Sequence, residues 1–190
     1  MTQAPKHGSR WLSLGSVPQP PLVTTRFVTE PLDDKHAALD FTALMSCRSR
    51  LRDELQWGSW PPEDFTLESN RADLSRHNDE FKRGEAFAYT VLSPKRTRCL
   101  GCIYIERCVE IDGAQLAYWV IDEAIDMEEF LVANVLEWMH KDWCFRRVLV
   151  PLRKANSRGL VIAREYGLVE SGAFREGPLS DHHCFLSQMA

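Results

Sequence analysis

Apolar positions along the chain follow two spacings, which predicts alternating strands and helices. Short apolar runs typical of strands occur in TTRFVTEPL, EAFAYTVLS, RCLGCIYIERC, GAQLAYWVI, RRVLVPL, LVESGAFRE and DHHCFLSQ. Apolar residues three and four apart, typical of amphipathic helices, occur in DDKHAALDFTALMS, TLESNRADLSRHNDEFKRG, the segment after Asp126 and NSRGLVIAREYG. The predicted order is βααβββαβαββ, which is that of an α/β fold.

Local signals set several element boundaries. Thr66 is a predicted N-cap and Gly84 a predicted C-cap of the second long helix. The turn PKRT predicts a hairpin between two strands. Residues 1–22 are predicted to form an extended arm that docks through Trp11, Leu12 and Leu14, and residues 23–190 a single domain.

Composition excludes several classes of protein. The 190 residues are 44% hydrophobic and 26% charged, with a formal net charge of −4, so neither nucleic acid nor a membrane is expected as a partner. No apolar run has membrane-spanning length, and the first residues do not read as a secretion signal. The six cysteines lack the spacing of a disulfide framework. Reduced thiols and a cytoplasmic location are therefore expected.

The segment WVIDEAIDMEEFL joins a predicted strand to a predicted helix. Five acids lie within the eight residues that follow Ile121, and the segment contains no glycine, lysine or arginine. Asp126 and Glu129 have the spacing of a capping box, so the helix is expected to satisfy its own first N–H groups. An anion bound here would meet repulsion.

Several strings resemble the GNAT superfamily of acyl-CoA-dependent N-acyltransferases, over roughly residues 25–188. AYWVI resembles a Gly-Tyr-Trp-hydrophobic strand of the branch that contains ribosomal-protein N-terminal acetyltransferases. Asn156 precedes the glycine of REYGL by eleven residues, which matches the family spacing, and GAFREG resembles the segment that follows. The resemblance implies a mixed, mostly antiparallel, twisted sheet of about seven strands with helices on both faces.

The resemblance also implies a cofactor and a reaction. Acetyl-CoA is expected to lie where the fourth strand parts from the fifth, with its pantetheine arm along Trp119, Val120 and Ile121 and a contact to Asn156. An amine, either a small molecule or a peptide N-terminus, would attack the thioester directly. The acids of DEAIDMEEF replace the family's glycine-containing pyrophosphate loop, so weak cofactor binding that strengthens with salt is expected.

The candidate catalytic residues depart from the family pattern. Gln115 occupies the position of a glutamate base in some members, and Ala163 that of the usual acid tyrosine. Glu106 is the remaining candidate base, although a solvated glutamate at a strand end is the more common case, and Tyr118 is a further candidate. Trp57 and Trp60 either line a substrate pocket or anchor their loop.

Two cysteine-containing strings do not predict a metal site. Cys99 and Cys102 form a CxxC pair within one strand, whereas zinc ribbons use two such pairs in loops. DHHC places His182 and Cys184 on one strand face and His183 on the other, which is too few convergent ligands.

Two functions remain from the sequence. The leading hypothesis is an acyl-CoA-dependent N-acyltransferase that acts on a small amine or an exposed N-terminus. The alternative is a GNAT-fold binding module that has lost catalysis and does not use acetyl-CoA. The sequence leaves the acceptor open, and also the oligomeric state, a homodimer included.

Overall fold

The strands form one sheet in the computed structural model, which describes residues 11–18, 21–174 and 179–188. The sheet order is β1-β2-β3-β4-β5-β7-β6, and every neighbouring pair is antiparallel except β4 with β5. The mixed, mostly antiparallel α/β fold predicted from the sequence is confirmed. The strands are β1 (Val28–Pro31), β2 (Phe87–Leu92), β3 (Cys99–Cys108), β4 (Gly113–Val120), β5 (Arg147–Arg153), β6 (Val169–Glu170) and β7 (His182–Gln188).

Helices lie on both faces of this sheet. α1 contacts β3 on one face, where the Cys102 thiol lies 3.2 Å from an Asp40 carboxylate oxygen. α4 covers the other face, where the rings of Trp138 and Tyr89 meet edge to face with centroids 5.3 Å apart. The helices are α1 (Ala37–Ser46), α2 (Arg48–Leu55), α3 (Leu67–Arg83), α4 (Glu128–Lys141) and α5 (Ser157–Glu165).

One helix was not predicted. The segment RSRLRDEL forms α2, directly after α1, and buries Leu51 and Leu55. Only two apolar residues in eight mark its buried side, so the sequence has little helical periodicity there. Tertiary packing of these two leucines stabilises a helix that the spacing of apolar residues does not predict.

The predicted boundaries of α3 are confirmed. The Thr66 side chain accepts a hydrogen bond from the Ser69 amide, which satisfies one of the first N–H groups. Gly84 ends the helix in the left-handed conformation at φ 70°, which glycine adopts without steric cost. The predicted hairpin of β2 and β3 also forms around the PKRT turn.

Part of the predicted arm packs on the domain. Trp11 donates its backbone N–H to the Gly84 carbonyl at 2.8 Å and stacks on Phe145 with ring centroids 5.2 Å apart. Leu12 packs against the same core. The first ten residues and positions 19–20 of the predicted arm, and the Leu14 side chain, lie outside the described part of the chain.

The C-terminal strands differ in length from the prediction. β7 spans the predicted DHHCFLSQ segment, whereas β6 has only two residues before the chain turns at Gly172–Phe174. The Gly-Pro turn predicted between them lies at residues 177–178, outside the described ranges. Within those ranges no helix is both long and apolar enough to cross a membrane.

The sheet separates the side chains of β3 and β4 into two sets, because directly paired residues of antiparallel strands share a face. Glu106 pairs with Gln115, and Cys102 with Trp119, so these four lie on the α1 face. Tyr118 pairs with Ile103 on the opposite face. A site that uses both sets must therefore lie where the sheet is interrupted.

The sheet is interrupted between β4 and β5. Their parallel ladder contains two residue pairs, Ala114 with Val148 and Gln115 with Leu149. From Leu116 to Val120 no described strand pairs with this edge of β4, although β3 continues along the other edge. This parting of β4 from β5 is the predicted opening.

We expect Gly101→Ala to destabilise the protein by about 3 kcal/mol, the upper part of the range for overpacking a core. A Cβ at Gly101 would lie 2.0 Å from the Trp119 carbonyl oxygen, so β3 and β4 would have to separate. Urea denaturation measures the change. Gly15→Ala is the control, since its nearest neighbour would lie 4.0 Å away; equal stability of the two variants would contradict the close approach.

Candidate functional site

The exposed edge of β4 begins the candidate site. The Ile121 N–H donates to the Leu100 carbonyl, so the backbone groups of Val120 point the other way, into the opening. There the Val120 carbonyl accepts a hydrogen bond from the Arg50 guanidinium. A side chain of α2 thus takes one of the backbone acceptors that would otherwise be available to a ligand.

The acids of the junction after β4 are paired with arginines from four different parts of the chain. These pairs form a ring of charges around the end of β4, which we call the acid–arginine ring. Three of its four acids are more than half exposed. The pairs are Asp122 with Arg50, Glu123 with Arg98, Asp126 with Arg26 and Glu128 with Arg158.

This pairing changes the electrostatic expectation for the junction. The sequence predicts an uncompensated negative patch at these acids, whereas in the structure four of the five are each paired with a guanidinium within 3 Å. Repulsion of an anion is correspondingly weaker than expected. An incoming anion instead competes with the carboxylates for the arginines, and this competition still predicts weak binding.

The start of α4 also differs from the prediction. Residues Asp122–Met127 form a 3-10 helix, and α4 begins at Glu128 with Met127 as an N-cap that makes no side-chain hydrogen bond. The capping box of Asp126 and Glu129 is wrong, because Asp126 points away from the helix to Arg26 at 2.7 Å. A long-range ion pair has replaced a local cap that the spacing alone favours.

One pair of the ring crosses the mouth of the opening. Arg158 belongs to α5, which follows β5, and Glu128 begins α4, which follows β4. The Arg158 guanidinium donates to the Glu128 carboxylate at 2.9 Å and to the Ile125 carbonyl at 2.7 Å. The two parted strands are therefore joined again beyond their ends by an arginine.

Glu128 is an unusual ion-pair partner because it is only 4% exposed. Burial raises the pKa of its carboxyl, and Arg158 opposes that rise. Glu54, whose pKa is also raised by burial, adds to the negative field there. The ion pair of Glu54 with Arg50 brings a second, half-buried carboxylate to the opening. The opening is thus lined by partly buried charges of both signs.

Tyr118 lies beside Glu128 on the α4 face. Burial, with Glu128 as the second cause, raises the pKa of the Tyr118 hydroxyl well above its usual value. The hydroxyl therefore keeps its proton at neutral pH and can serve as a donor. It lies on the opposite face of the sheet from Glu106 and Gln115, so the structure does not bring these three candidates together on one face.

Glu106 lies against α3. Burial raises the pKa of its carboxyl, the nearby His77 opposes the rise, and Glu80 adds to it. A half-buried carboxyl with a raised pKa is closer to the range of a general base than a solvated glutamate is. Gln115 is its direct neighbour on β4 and is half-buried, where its amide can orient a polar ligand.

The two candidate tryptophans lie on this same face. Trp57 packs edge to face against Tyr104, with ring centroids 5.5 Å apart, and Trp60 lies 5.4 Å from Trp57. Tyr104 also meets the His77 ring at 5.5 Å and accepts a hydrogen bond from the Trp119 indole at 3.2 Å. The tryptophans are half-buried, so their loop is anchored and still offers exposed ring surface near β3.

Asn156 has a structural role in addition to the predicted contact. It is 6% exposed, and its side-chain oxygen accepts the Gly159 N–H at 2.8 Å, which caps α5. A Cβ at Gly159 would lie 2.8 Å from that oxygen. Glycine at this position therefore leaves room for the cap.

The residues that sequence reasoning missed are those that act at long range. Arg50, Glu54 and His77 have no motif, and they reach the site because α2 and α3 pack against the sheet. Arg158 follows Asn156 by two residues, and the acidic junction lacks any cation of its own. The excess of acids over cations in the junction could have indicated that arginines from elsewhere in the chain pair with it, because buried or crowded carboxylates require partners.

Known proteins resemble this chain in structure but not in sequence. No protein-family profile matches the chain, and no curated protein sequence does. Among solved structures, RimL, a ribosomal L7/L12 α-N-protein acetyltransferase in complex with coenzyme A, aligns with a TM-score of 0.70 at 18% identity over 88% of this chain and 97% of that one.

Two further structures give the same result. The ribosomal-protein-S5-alanine acetyltransferase from Vibrio fischeri aligns at a TM-score of 0.68 and 16% identity, covering 88% of this chain and 95% of that one. RimJ from Mycobacterium smegmatis, in complex with a coenzyme A disulfide, aligns at 0.69 and 15% identity, over 85% and 81%. The chain has the GNAT fold predicted from its sequence.

We expect Arg158→Met to destabilise the protein by about 1–2 kcal/mol at neutral pH, because it leaves the buried Glu128 carboxylate without its partner. The effect is smaller than for a fully buried pair because the Arg158 side chain is about half exposed. The deficit should shrink as pH falls, because the raised pKa lets Glu128 take up a proton and lose its charge. Urea denaturation at about pH 7 and about pH 5 measures both values.

Two variants control for this effect. Adding Glu128→Gln to Arg158→Met should restore most of the stability at neutral pH, because no buried charge remains. Lys154→Met removes an exposed cation just before α5 and should leave stability nearly unchanged. A deficit of Arg158→Met that is independent of pH would show that Glu128 is not the group left unpaired.

Proposed function

We propose that the chain is an N-acyltransferase that transfers an acetyl group from acetyl-CoA to a primary amine, either a small molecule or an exposed N-terminus. The parting of β4 from β5 carries the proposal, since it leaves one edge of β4 open to an extended amide-containing arm. The GNAT fold, shared with solved N-acetyltransferases, supports it. A peptide N-terminus is the favoured acceptor because several of those structures are named for ribosomal-protein N-terminal substrates.

The residues around the opening fit the cofactor in two parts. The pantetheine arm would lie along Trp119, Val120 and Ile121 and pair with the backbone of Val120, which faces the opening, and Asn156 lies at the start of α5. Arg158 would hold a phosphate after it exchanges Glu128 for the ligand. When bound, acetyl-CoA supplies an activated thioester carbonyl at the opening.

The protein side chains would handle the protons. Glu106 would accept a proton from the ammonium form of the acceptor, directly or through a water, so that the free amine can attack. Gln115 would orient the acceptor, and Trp57 and Trp60 would hold its apolar part. Tyr118, whose hydroxyl stays protonated, would donate a proton to the leaving thiolate from the opposite face.

A second function has its own supporting observation. Arg50 already occupies the Val120 carbonyl, and Glu128 already holds Arg158, so the chain's own side chains satisfy groups that a cofactor would use. A GNAT-fold module that binds a partner without using acetyl-CoA would retain such contacts permanently. Cofactor binding distinguishes the two functions.

We expect Glu128→Gln to tighten coenzyme A binding about tenfold, equivalent to about 1.4 kcal/mol, because it removes the carboxylate that competes for Arg158. Calorimetric titration with coenzyme A measures the dissociation constant of both proteins. Glu129→Gln removes an exposed acid of the same junction and is the matched control. If neither the wild type nor Glu128→Gln binds coenzyme A, the non-catalytic function is favoured.

We expect Glu106→Gln to lower kcat about 100-fold with little change in acetyl-CoA affinity, because a general base acts mainly in the transition state. Acetylation of a peptide with a free N-terminus is followed by thiol release, with the N-terminally blocked peptide as the substrate control. Glu165→Gln, an exposed glutamate at the end of α5, should keep wild-type kcat. Unchanged kcat in Glu106→Gln would place the base elsewhere.

We expect Asn156→Ala to weaken coenzyme A binding and to cost about 1 kcal/mol of stability, because the same side chain caps α5. Asn156→Asp keeps a cap oxygen, so it should keep the stability while its added charge weakens cofactor binding. Urea denaturation and calorimetry separate the two effects. Wild-type affinity in a folded Asn156→Asp protein would remove this residue from the cofactor site.

A further inference from the structure

Three side chains of metal-ligand type converge in the core beneath α1, one strand inward from the open edge of β4, since Cys102 pairs with Trp119. The carboxylate of Asp40 and the thiols of Cys99 and Cys102 have ligand atoms that all lie within 4.8 Å of one another. Their residues are 3%, 3% and 0% exposed. We call these three residues the Asp–Cys cluster.

A strand irregularity brings the two thiols together. Residues three apart in a regular strand point to opposite faces, so Cys99 and Cys102 would normally diverge. The register of β3 against β2 shifts between Gly101 and Cys99, which leaves Leu100 as an extra residue. Bulges of this kind redirect side chains, and this one turns Cys99 to the side of Cys102.

The distances within the Asp–Cys cluster suit a small tetrahedral ion. The Asp40 Oδ1 atom lies 3.2 Å from the Cys102 sulfur and 4.0 Å from the Cys99 sulfur. Zinc bonds of about 2.3 Å to sulfur and about 2.0 Å to oxygen imply sulfur–oxygen separations of roughly 3.5 Å in a tetrahedral site. The Thr90 hydroxyl, 3.5 Å from the Cys99 sulfur, supplies a further oxygen beside the cluster.

A neighbouring side chain orients the carboxylate. Asn70 of α3 donates to Asp40 Oδ2 at 2.9 Å, so Oδ1 is the oxygen that faces both thiols. Asn70 also donates to the Ala37 carbonyl and is 2% exposed, which fixes its own position. Hydrogen bonds of this kind to the second oxygen of a carboxylate are typical around metal ligands.

The buried carboxylate of Asp40 has no ion-pair partner among the described residues. Burial of a carboxylate is costly unless a positive group compensates it. The hydrogen bonds that reach Asp40 come from an amide and from thiols, and no lysine, arginine or histidine in the described ranges forms an ion pair with it. The buried polar side chains Asn70 and Thr90 lie in the same part of the core, and the charges of Asp73 and His77 act on Asp40 from outside the cluster. A divalent ion would give Oδ1 a directly bonded positive partner, while the net charge of the cluster would stay the same because two thiol protons leave.

We propose that Asp40, Cys99 and Cys102 bind a divalent thiophilic ion of the Zn²⁺ class, which ties β3 to α1 inside the core. On binding, each thiol loses a proton to solvent and the ion is held by two thiolates and one carboxylate. Two sulfur ligands favour zinc over magnesium or calcium, which prefer oxygen ligands alone. Because the cluster has little contact with solvent, the ion enters as the chain folds.

The test is the metal content of the full chain expressed with added Zn²⁺. We expect about one zinc per chain in the wild type, and a loss of zinc in Cys99→Ser, Cys102→Ser and the isosteric Asp40→Asn. Cys144→Ser, which changes the exposed cysteine, should retain the metal. Expression with Co²⁺ instead should give a thiolate-to-cobalt charge-transfer band that Cys102→Ser abolishes and Cys144→Ser keeps.

Circular dichroism of each variant shows whether loss of metal accompanies loss of fold, and Cys99→Ser and Asp40→Asn are alternatives if Cys102→Ser fails to fold. A folded wild type without zinc or a cobalt band overturns the proposal. So does zinc that survives in all three folded variants, or zinc lost from His182→Ala but retained in Cys102→Ser. A Cys99–Cys102 disulfide found by thiol titration of freshly purified protein would also overturn it.

Discussion

An unpaired strand edge in the middle of the sheet is the constraint from which the candidate site follows. The ladder between β4 and β5 ends after two residue pairs, and each backbone group beyond it must find another partner or remain open to a ligand. The Val120 carbonyl accepts a hydrogen bond from the Arg50 guanidinium. The same edge is therefore both the place where an extended ligand can bind and a place that the protein has partly satisfied by itself.

The acid–arginine ring shows the same competition at the end of β4, between a possible ligand and the protein's own side chains. A helix start usually attracts anions through its free N–H groups, and here the first residue of α4 is itself a buried glutamate held by Arg158. The site has the positive charge that a diphosphate requires, but that charge is already engaged. Whether the ring exchanges its carboxylates for a ligand or keeps them decides between a transferase and a binding module.

The two faces of the sheet divide the proposed proton chemistry. Glu106 and Gln115 lie with the tryptophan loop on one face, and Tyr118 lies with Glu128 on the other. An intact sheet would keep these groups apart. In the proposed reaction, an acceptor on one face would have to reach a leaving group on the other face through the opening, so that reaction would depend on the interrupted ladder.

The sequence by itself determined the order of the strands and of every helix except α2, the caps of α3, the β2–β3 hairpin and the polar asparagine after β5. These features depend on periodicity and on residues within a few positions of each other, which a linear pattern contains. It also determined that the junction after β4 is acidic. The expected capping box at Asp126 was wrong because the spacing records what is locally possible, whereas the observed partner, Arg26, is a hundred residues away.

Tertiary structure alone decided which arginines meet those acids, that α2 forms, and that Glu106 and Tyr118 lie on opposite faces. It also brought Asp40 to Cys99 and Cys102, since a one-residue shift of register changes the face to which a cysteine points. Long-range pairing and side-chain facing depend on how whole elements pack. No local pattern encodes that geometry, because the energies that decide it come from burial and charge summed over the folded chain.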